Sequence, residues 1–249
     1  MLLAVDVGNT QTVYGVFDDD RLAERYRVAT ERRRTADELY VLIAGLLDLD
    51  VVDGVCLSST VPPLVREYEG FAERAGLPTL VMGPGVSTGI ALRYDDPREI
   101  GPDRIANAVA AKERYGAPAI VVDFGTSTNF DVVSPEGEYV GGVLAPGIEI
   151  SMDALFARAS RLFRVDFTPP PTVIGKTTQT ALQSGLVYGF AGQVDEIVTR
   201  IRDELGVAAP TIATGGLAEL VAPHSRTLQR LDPFLTLEGL RLVYSRNAS

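Results

Sequence analysis

Residues 2–17 read LLAVDVGNTQTVYGVF and residues 120–133 read IVVDFGTSTNFDVV. Each stretch is an apolar strand that ends in Asp, passes through Gly, and runs through small hydroxyl and amide residues into a second apolar strand. Asp6 aligns with Asp123, Gly8 with Gly125 and Thr10 with Ser127, an offset of 117 residues (Asp6 to Asp123). A pattern repeated at this distance marks a duplicated half-domain. It divides the chain into residues 1–116 and 117–249.

The flanking sequence extends the pattern. Alternating apolar residues predict strands at 2–7, 12–17 and 22–28, joined by turns at Gly8-Asn9 and Asp18-Asp19-Asp20. Helical periodicity follows at 36–47, a strand at 51–58, a helix opened by Pro62 and Pro63 at 62–75, and a strand at 79–82. A long Gly- and Pro-rich loop at 84–102 leads into an amphipathic helix ending at Gly116. From 119 the strand pattern restarts, followed by a long helix at about 178–205 and a strand at 210–213 ending in TGG. This alternation predicts a mixed α/β sheet in each half. Gly185, Gly189 and Gly192 weaken the long helix, which points to close backbone approach, either to another helix or to a second subunit.

Composition removes several function classes. With 46% hydrophobic residues in 249, the chain can fill a substantial core, and no apolar run is long enough to cross a bilayer. A soluble, cytosolic protein is expected. The one cysteine, Cys56, lies in an apolar run and reads as a buried thiol; the one histidine, His224, lies in a turn. Triad chemistry and Cys- or His-based zinc sites are therefore disfavoured. Neither Lys112 nor Lys176 follows the glycine spacing of a P-loop. The net charge of −10 argues against nucleic acid or a membrane as partner, and Arg32, Arg33 and Arg34, flanked by Glu31 and Asp37, read as a solvated surface.

The repeated hairpin suits a polyphosphate. Glycine lets the backbone approach closely, turn amides and hydroxyls donate to phosphate oxygens, and Asp holds the neutralising cation. One copy alone also fits an ordinary turn. Two copies in the same context are much more specific.

On DVGNT at 6–10, GPDRIAN at 101–107, DFGTST at 123–128, GGVLAPGI at 141–148, GKTTQTALQSG at 175–185 and TGG at 214–216, the chain resembles the type III pantothenate kinases. These belong to the actin, sugar-kinase and heat-shock-ATPase superfamily. The resemblance implies duplicated ribonuclease-H-like halves with ATP in the cleft between them. It implies Asp103 as the catalytic base, with Tyr94, Gly101, Pro102, Arg104 and Thr178 at the pantothenate site. Asp6, Val7, Gly8, Asn9, Thr10, Gln11, Thr12 and Val13 would form the first phosphate loop, with Thr126, Gly215 and Gly216 also at ATP. Asp6 would orient Mg²⁺, and Asp123 would bind a monovalent cation, K⁺ or NH₄⁺. A homodimer, with Thr178 reaching the partner's substrate, is likewise implied.

Residue types alone leave plainer readings open: a first-turn Asp for Asp103, a surface ion pair for Arg104, a helix cap for Thr178, a half-buried aromatic for Tyr94. The second loop departs from the family's Asp-x-Gly-Thr-Ala-Thr-Thr at Ser127 and Asn129. The implied chemistry is direct in-line transfer of the γ-phosphoryl group to pantothenate, the first step of coenzyme A synthesis. The alternatives are an amino-sugar kinase of the same superfamily and a regulatory relative without catalysis.

Overall fold

A computed structural model of the chain describes residues 1–159 and 162–248. In chain order the elements are β1 (Leu2–Val7), β2 (Gln11–Asp18), β3 (Arg21–Ala29), α1 (Ala36–Leu46), β4 (Gly54–Ser59), α2 (Pro62–Ala75), β5 (Thr79–Val81), α3 (Pro102–Tyr115) and β6 (Ala119–Phe124). Then come β7 (Ser127–Val133), β8 (Tyr139–Pro146), α4 (Ile148–Arg158), α5 (Thr178–Leu205), β9 (Thr211–Thr214), α6 (Ala218–Val221), β10 (Arg230–Leu231) and α7 (Leu235–Asn247). Local signals set the helix ends: Thr35 with Glu38, and Thr177 with Thr180, form reciprocal caps at the starts of α1 and α5. Among the described residues, no helix is long and apolar enough to cross a membrane.

The elements form two compact units, Met1–Ala110 with the segment from Leu235, and Ala111–Phe234. The sheet of the first runs β3-β2-β1-β4-β5 and that of the second β8-β7-β6-β9-β10. Position by position they correspond. In each, a first hairpin is antiparallel, β1 with β2 and β6 with β7, and its first strand pairs in parallel with a later one, β4 or β9. The repeated sequence pattern is thus a repeated half-fold.

Register refines the repeat. Val7 faces Thr12 across the first hairpin, whereas Phe124 faces Thr128 across the second. The second turn is one residue shorter, so the offset of 117 along the first strand becomes 116 along the next (Thr12 to Thr128). Gly8 donates its N–H to Gln11 O and Gly125 donates to Ser127 O. Ser127 therefore occupies the place of Gln11, not that of Thr10 as an ungapped alignment suggests.

In the first unit, Leu3, Val5 and Val7 alternate onto one face of β1 and pack with Leu39 and Ile43 of α1 and Leu64, Tyr68 and Phe71 of α2. The opposite face is covered by α7, whose Leu237, Leu240 and Val243 are buried and which packs on β1, β2 and β4. By these contacts α7 sits with the first unit, although a division at 116/117 puts it with the second. Its apolar face finds its partner across 230 residues of chain, which periodicity cannot register. Cys56 lies in the buried strand β4, and burial pushes its thiol up to about 12, so it stays protonated.

Gly239 on α7 lies against α3: a Cβ there would run into the Ala106 carbonyl. Gly239→Ala should accordingly destabilise the protein by about 1–3 kcal/mol through overpacking, read as a lower urea midpoint at unchanged slope.

In the second unit, Ile120, Val122, Phe124 and Phe130 pack with Ile148 and Met152 of α4 and Val194 and Val198 of α5. A Cβ at Gly185, Gly189 or Gly192 would meet nothing within 4 Å. Packing against another helix of the described chain does not explain these glycines. His224 packs edge-on against Tyr188, ring centroids 5.3 Å apart.

Candidate functional site

The carboxyl end of β1 presents Asp6, half-buried, and then the turn with exposed Asn9, Thr10 and Gln11. Thr30, just past β3, holds this turn: its N–H donates to Thr10 O at 2.9 Å and its hydroxyl to Gly8 O at 2.8 Å. Arg32 Nη2 donates to Asn9 Oδ1 at 2.8 Å, so the arginine run is not merely a solvated face. Val7 and Thr12, grouped with the phosphate loop on sequence, are buried, and the Thr12 hydroxyl meets Thr30 Oγ1 at 2.9 Å. Strand alternation turns both side chains inward; Val13 is half-buried.

At the start of α3, Pro102 is the first helical residue and Asp103 lies in the first turn, where helix amides favour a negative charge. The Asp103 carboxyl lies beside the backbone amides of Arg104 and of its own residue, and its Oδ1 is buried with no hydrogen-bond partner. Burial raises its pKa above the ordinary carboxylate range, against the lowering effects of those amides and of the Arg104 guanidinium. A Cβ on Gly101 would come within 2.5 Å of Oδ1, so only glycine leaves the carboxylate this rotamer. Arg104 is 6% exposed, which rules out the surface ion-pair reading. Asn107, one turn on, is fully buried and accepts from Thr236 Oγ1 at 2.8 Å. Tyr94 is half-buried in the preceding loop. That loop is tied down by Arg246, which donates to Thr88 O at 2.7 Å, and by Asn247, which donates to Ser87 O at 2.9 Å.

The second unit gathers its own cluster. Asp123 ends β6 half-buried, opposite Asn129 and beside Thr214 in the parallel register. Gly215 has a φ of 91°, and a Cβ there would collide with Asp123 Oδ1 and lie 2.6 Å from Phe124 N. Thr126 and Gly216 are exposed. Ser127 Oγ donates to Asn129 Oδ1 at 2.6 Å, so the two departures from the family's loop form one hydrogen-bonded pair. Gly147, which caps α4, abuts this loop: a Cβ would strike the Thr126 carbonyl and come within 2.8 Å of Gly125 O. Gly147 lies in the motif GGVLAPGI, whose residue types alone assign it no role. The signal was the spacing of those glycines, and only the close approach explains it.

Thr178 is exposed as the first residue of α5, while Thr177 is the cap, so capping does not account for Thr178. Among the described residues, no three His, Cys, Asp or Glu side chains group as a metal cage. One carboxylate completed by phosphate oxygens and water is the mode magnesium favours, and Asp6 fits it.

Two like-built α/β halves, each with an Asp-x-Gly hairpin at the same strand end, define an actin-like fold. A hexokinase of the ROK type from Thermus thermophilus shares it, at 14% identity and a TM-score of 0.52 over 99% of both chains. The chain belongs to the type III pantothenate kinase family, whose model matches residues 2–200. A type III pantothenate kinase of Frankia alni is 58% identical over 99% of this chain and 100% of its own length. One from Moorella thermoacetica is 52% identical over 99% of this chain and all of its own length.

Proposed function

We infer that this protein transfers the γ-phosphoryl group of ATP to the primary hydroxyl of pantothenate, giving 4'-phosphopantothenate at the start of coenzyme A synthesis. The observation that carries this reading is Asp103 Oδ1, a buried carboxylate oxygen lacking a hydrogen-bond partner. Such an atom costs roughly 1–3 kcal/mol if nothing satisfies it, and a substrate hydroxyl would. Asp103 would accept the hydroxyl proton as the oxygen attacks in line, its raised pKa bringing it closer to the working pH. Buried Arg104 would pair with the substrate carboxylate or the transferring phosphoryl.

The amides and side chains of residues 8–11 would take the β- and γ-phosphates, and Thr126 with Gly215 and Gly216 the rest of the nucleotide. Asp6 would hold Mg²⁺, which neutralises phosphate charge when bound, and Asp123 the K⁺ or NH₄⁺ ion. The protein would act as a cytosolic homodimer. Exposed Val173 and Ile174, at 65% and 80%, and the uncovered glycines of α5 support a face for a second copy near Thr178.

The test is a coupled ATP-consumption assay with pantothenate, Mg²⁺ and either K⁺ or Na⁺, product mass confirmed. We expect pantothenate-dependent turnover stimulated by K⁺, and loss of that stimulation, with Na⁺ turnover retained, in Asp123→Asn. Turnover with an amino sugar in place of pantothenate would overturn the acceptor assignment.

A further inference from the structure

Beneath the first loop lies a chain of buried hydroxyls for which the phosphate-loop reading has no role. Tyr14 on β2 and Tyr68 on α2 are 0% and 2% exposed, with their phenol oxygens 2.6 Å apart. Tyr68 lies beside Thr12, Thr12 Oγ1 lies 2.9 Å from Thr30 Oγ1, and Thr30 Oγ1 donates to Gly8 O at 2.8 Å. Each hydroxyl has one proton, and a carbonyl can only accept. Thr30 spends its proton on Gly8, so Thr12 donates to Thr30. This short relay from Thr12 through Thr30 has one direction and ends on the loop backbone, and hydrogen bonds aligned in this way reinforce one another.

We propose that Thr30, oriented by this relay, is a positioning residue that presets the loop for nucleotide phosphate. It takes the Gly8 carbonyl through its hydroxyl and the Thr10 carbonyl through its N–H. Across a trans peptide the N–H points opposite to the C=O, so anchoring Gly8 O on Thr30 turns Asn9 N–H away from Thr30. A loop whose amides are already turned need not be ordered when the phosphate arrives. Core packing alone does not require this arrangement, because a phenylalanine at 68 and a valine at 30 would fill nearly the same space.

The inference rests on the reading that residues 8–11 receive ATP, so the experiment separates the two. Steady-state KM for ATP and for pantothenate, kcat and Tm are measured for Thr30→Val, Thr30→Ser, Tyr68→Phe and Gly8→Ala. The last is the loop control, since its Cβ would lie 2.9 Å from Gln11 O. Thr30→Val should raise the ATP KM roughly tenfold, the worth of one hydrogen bond to a constrained backbone, with the pantothenate KM unchanged. Thr30→Ser, which keeps the hydroxyl, should restore the ATP KM. Tyr68→Phe should raise it by less, acting only through its contact with Thr12. An unchanged ATP KM in Thr30→Val beside a raised one in Gly8→Ala would overturn the positioning role, even if Tm fell. Unchanged values in both would overturn the loop reading and this inference with it. Should Thr30→Val fail to fold, Tyr68→Phe decides the matter by the same measure.

Discussion

Asp103→Asn is expected to cut pantothenate turnover by about a hundredfold to ten-thousandfold while the protein becomes more stable at neutral pH. The two effects have one cause. Burial raises the Asp103 pKa in the folded state, so the folded protein binds the proton more tightly than the unfolded chain does. The stability this group contributes is complete below the unfolded pKa and is lost as pH rises through the folded one. At pH 7 the ionised carboxylate therefore costs stability, and a neutral amide of the same shape removes that cost. A rise in Tm together with loss of turnover, and ATP binding retained by calorimetry, would separate a functional carboxylate from a helix-capping one. A capping Asp would show the reverse, a fall in Tm with activity largely kept. The wild-type rate should fall on the acid side as Asp103 protonates, at a pH above the ordinary carboxylate range of about 4. Near-normal turnover by Asp103→Asn would refute the base assignment.

Gly215→Ala should be the most damaging small substitution in the second unit. Its φ of 91° lies where an L side chain is strained, and the added Cβ would press on the Asp123 carboxylate and on both backbone polar atoms of Phe124. Strain and overpacking together amount to about 3 kcal/mol or more, equivalent to a drop in Tm of roughly 10 °C. Because the displaced atoms include the carboxylate proposed to hold the monovalent ion, K⁺ stimulation should fall along with ATP affinity. Gly216→Ala, next to it and exposed, should be far milder. Equal Tm and equal K⁺ response in the two variants would show that Gly215 does not support Asp123.

Much of this was legible in one sequence because the relevant signals are local. The Asp-Gly hairpins, the Pro62 and Thr35 helix starts and the span of α5 are decided by neighbouring residues, through strand alternation, fixed proline φ and side chains that cap nearby amides. The duplication was equally legible, since two copies of one pattern need no knowledge of contacts. Asp103 could be named as a candidate from GPDRIAN, but its unpartnered oxygen could not, since desolvation depends on what packs around a side chain.

The sequence by itself determined the elements, the repeat and the kinds of groups at each strand end. Tertiary structure alone decided which of those groups face inward. It shortened the second turn by a residue, placing Ser127 where Gln11 sits, and it set Thr12 beside Tyr68 of a helix more than 50 residues away. It set Gly147 against the Thr126 carbonyl and laid α7 on the first sheet. Register, burial and close approach are relations between segments distant in the chain, and they come into being only when the apolar faces have met.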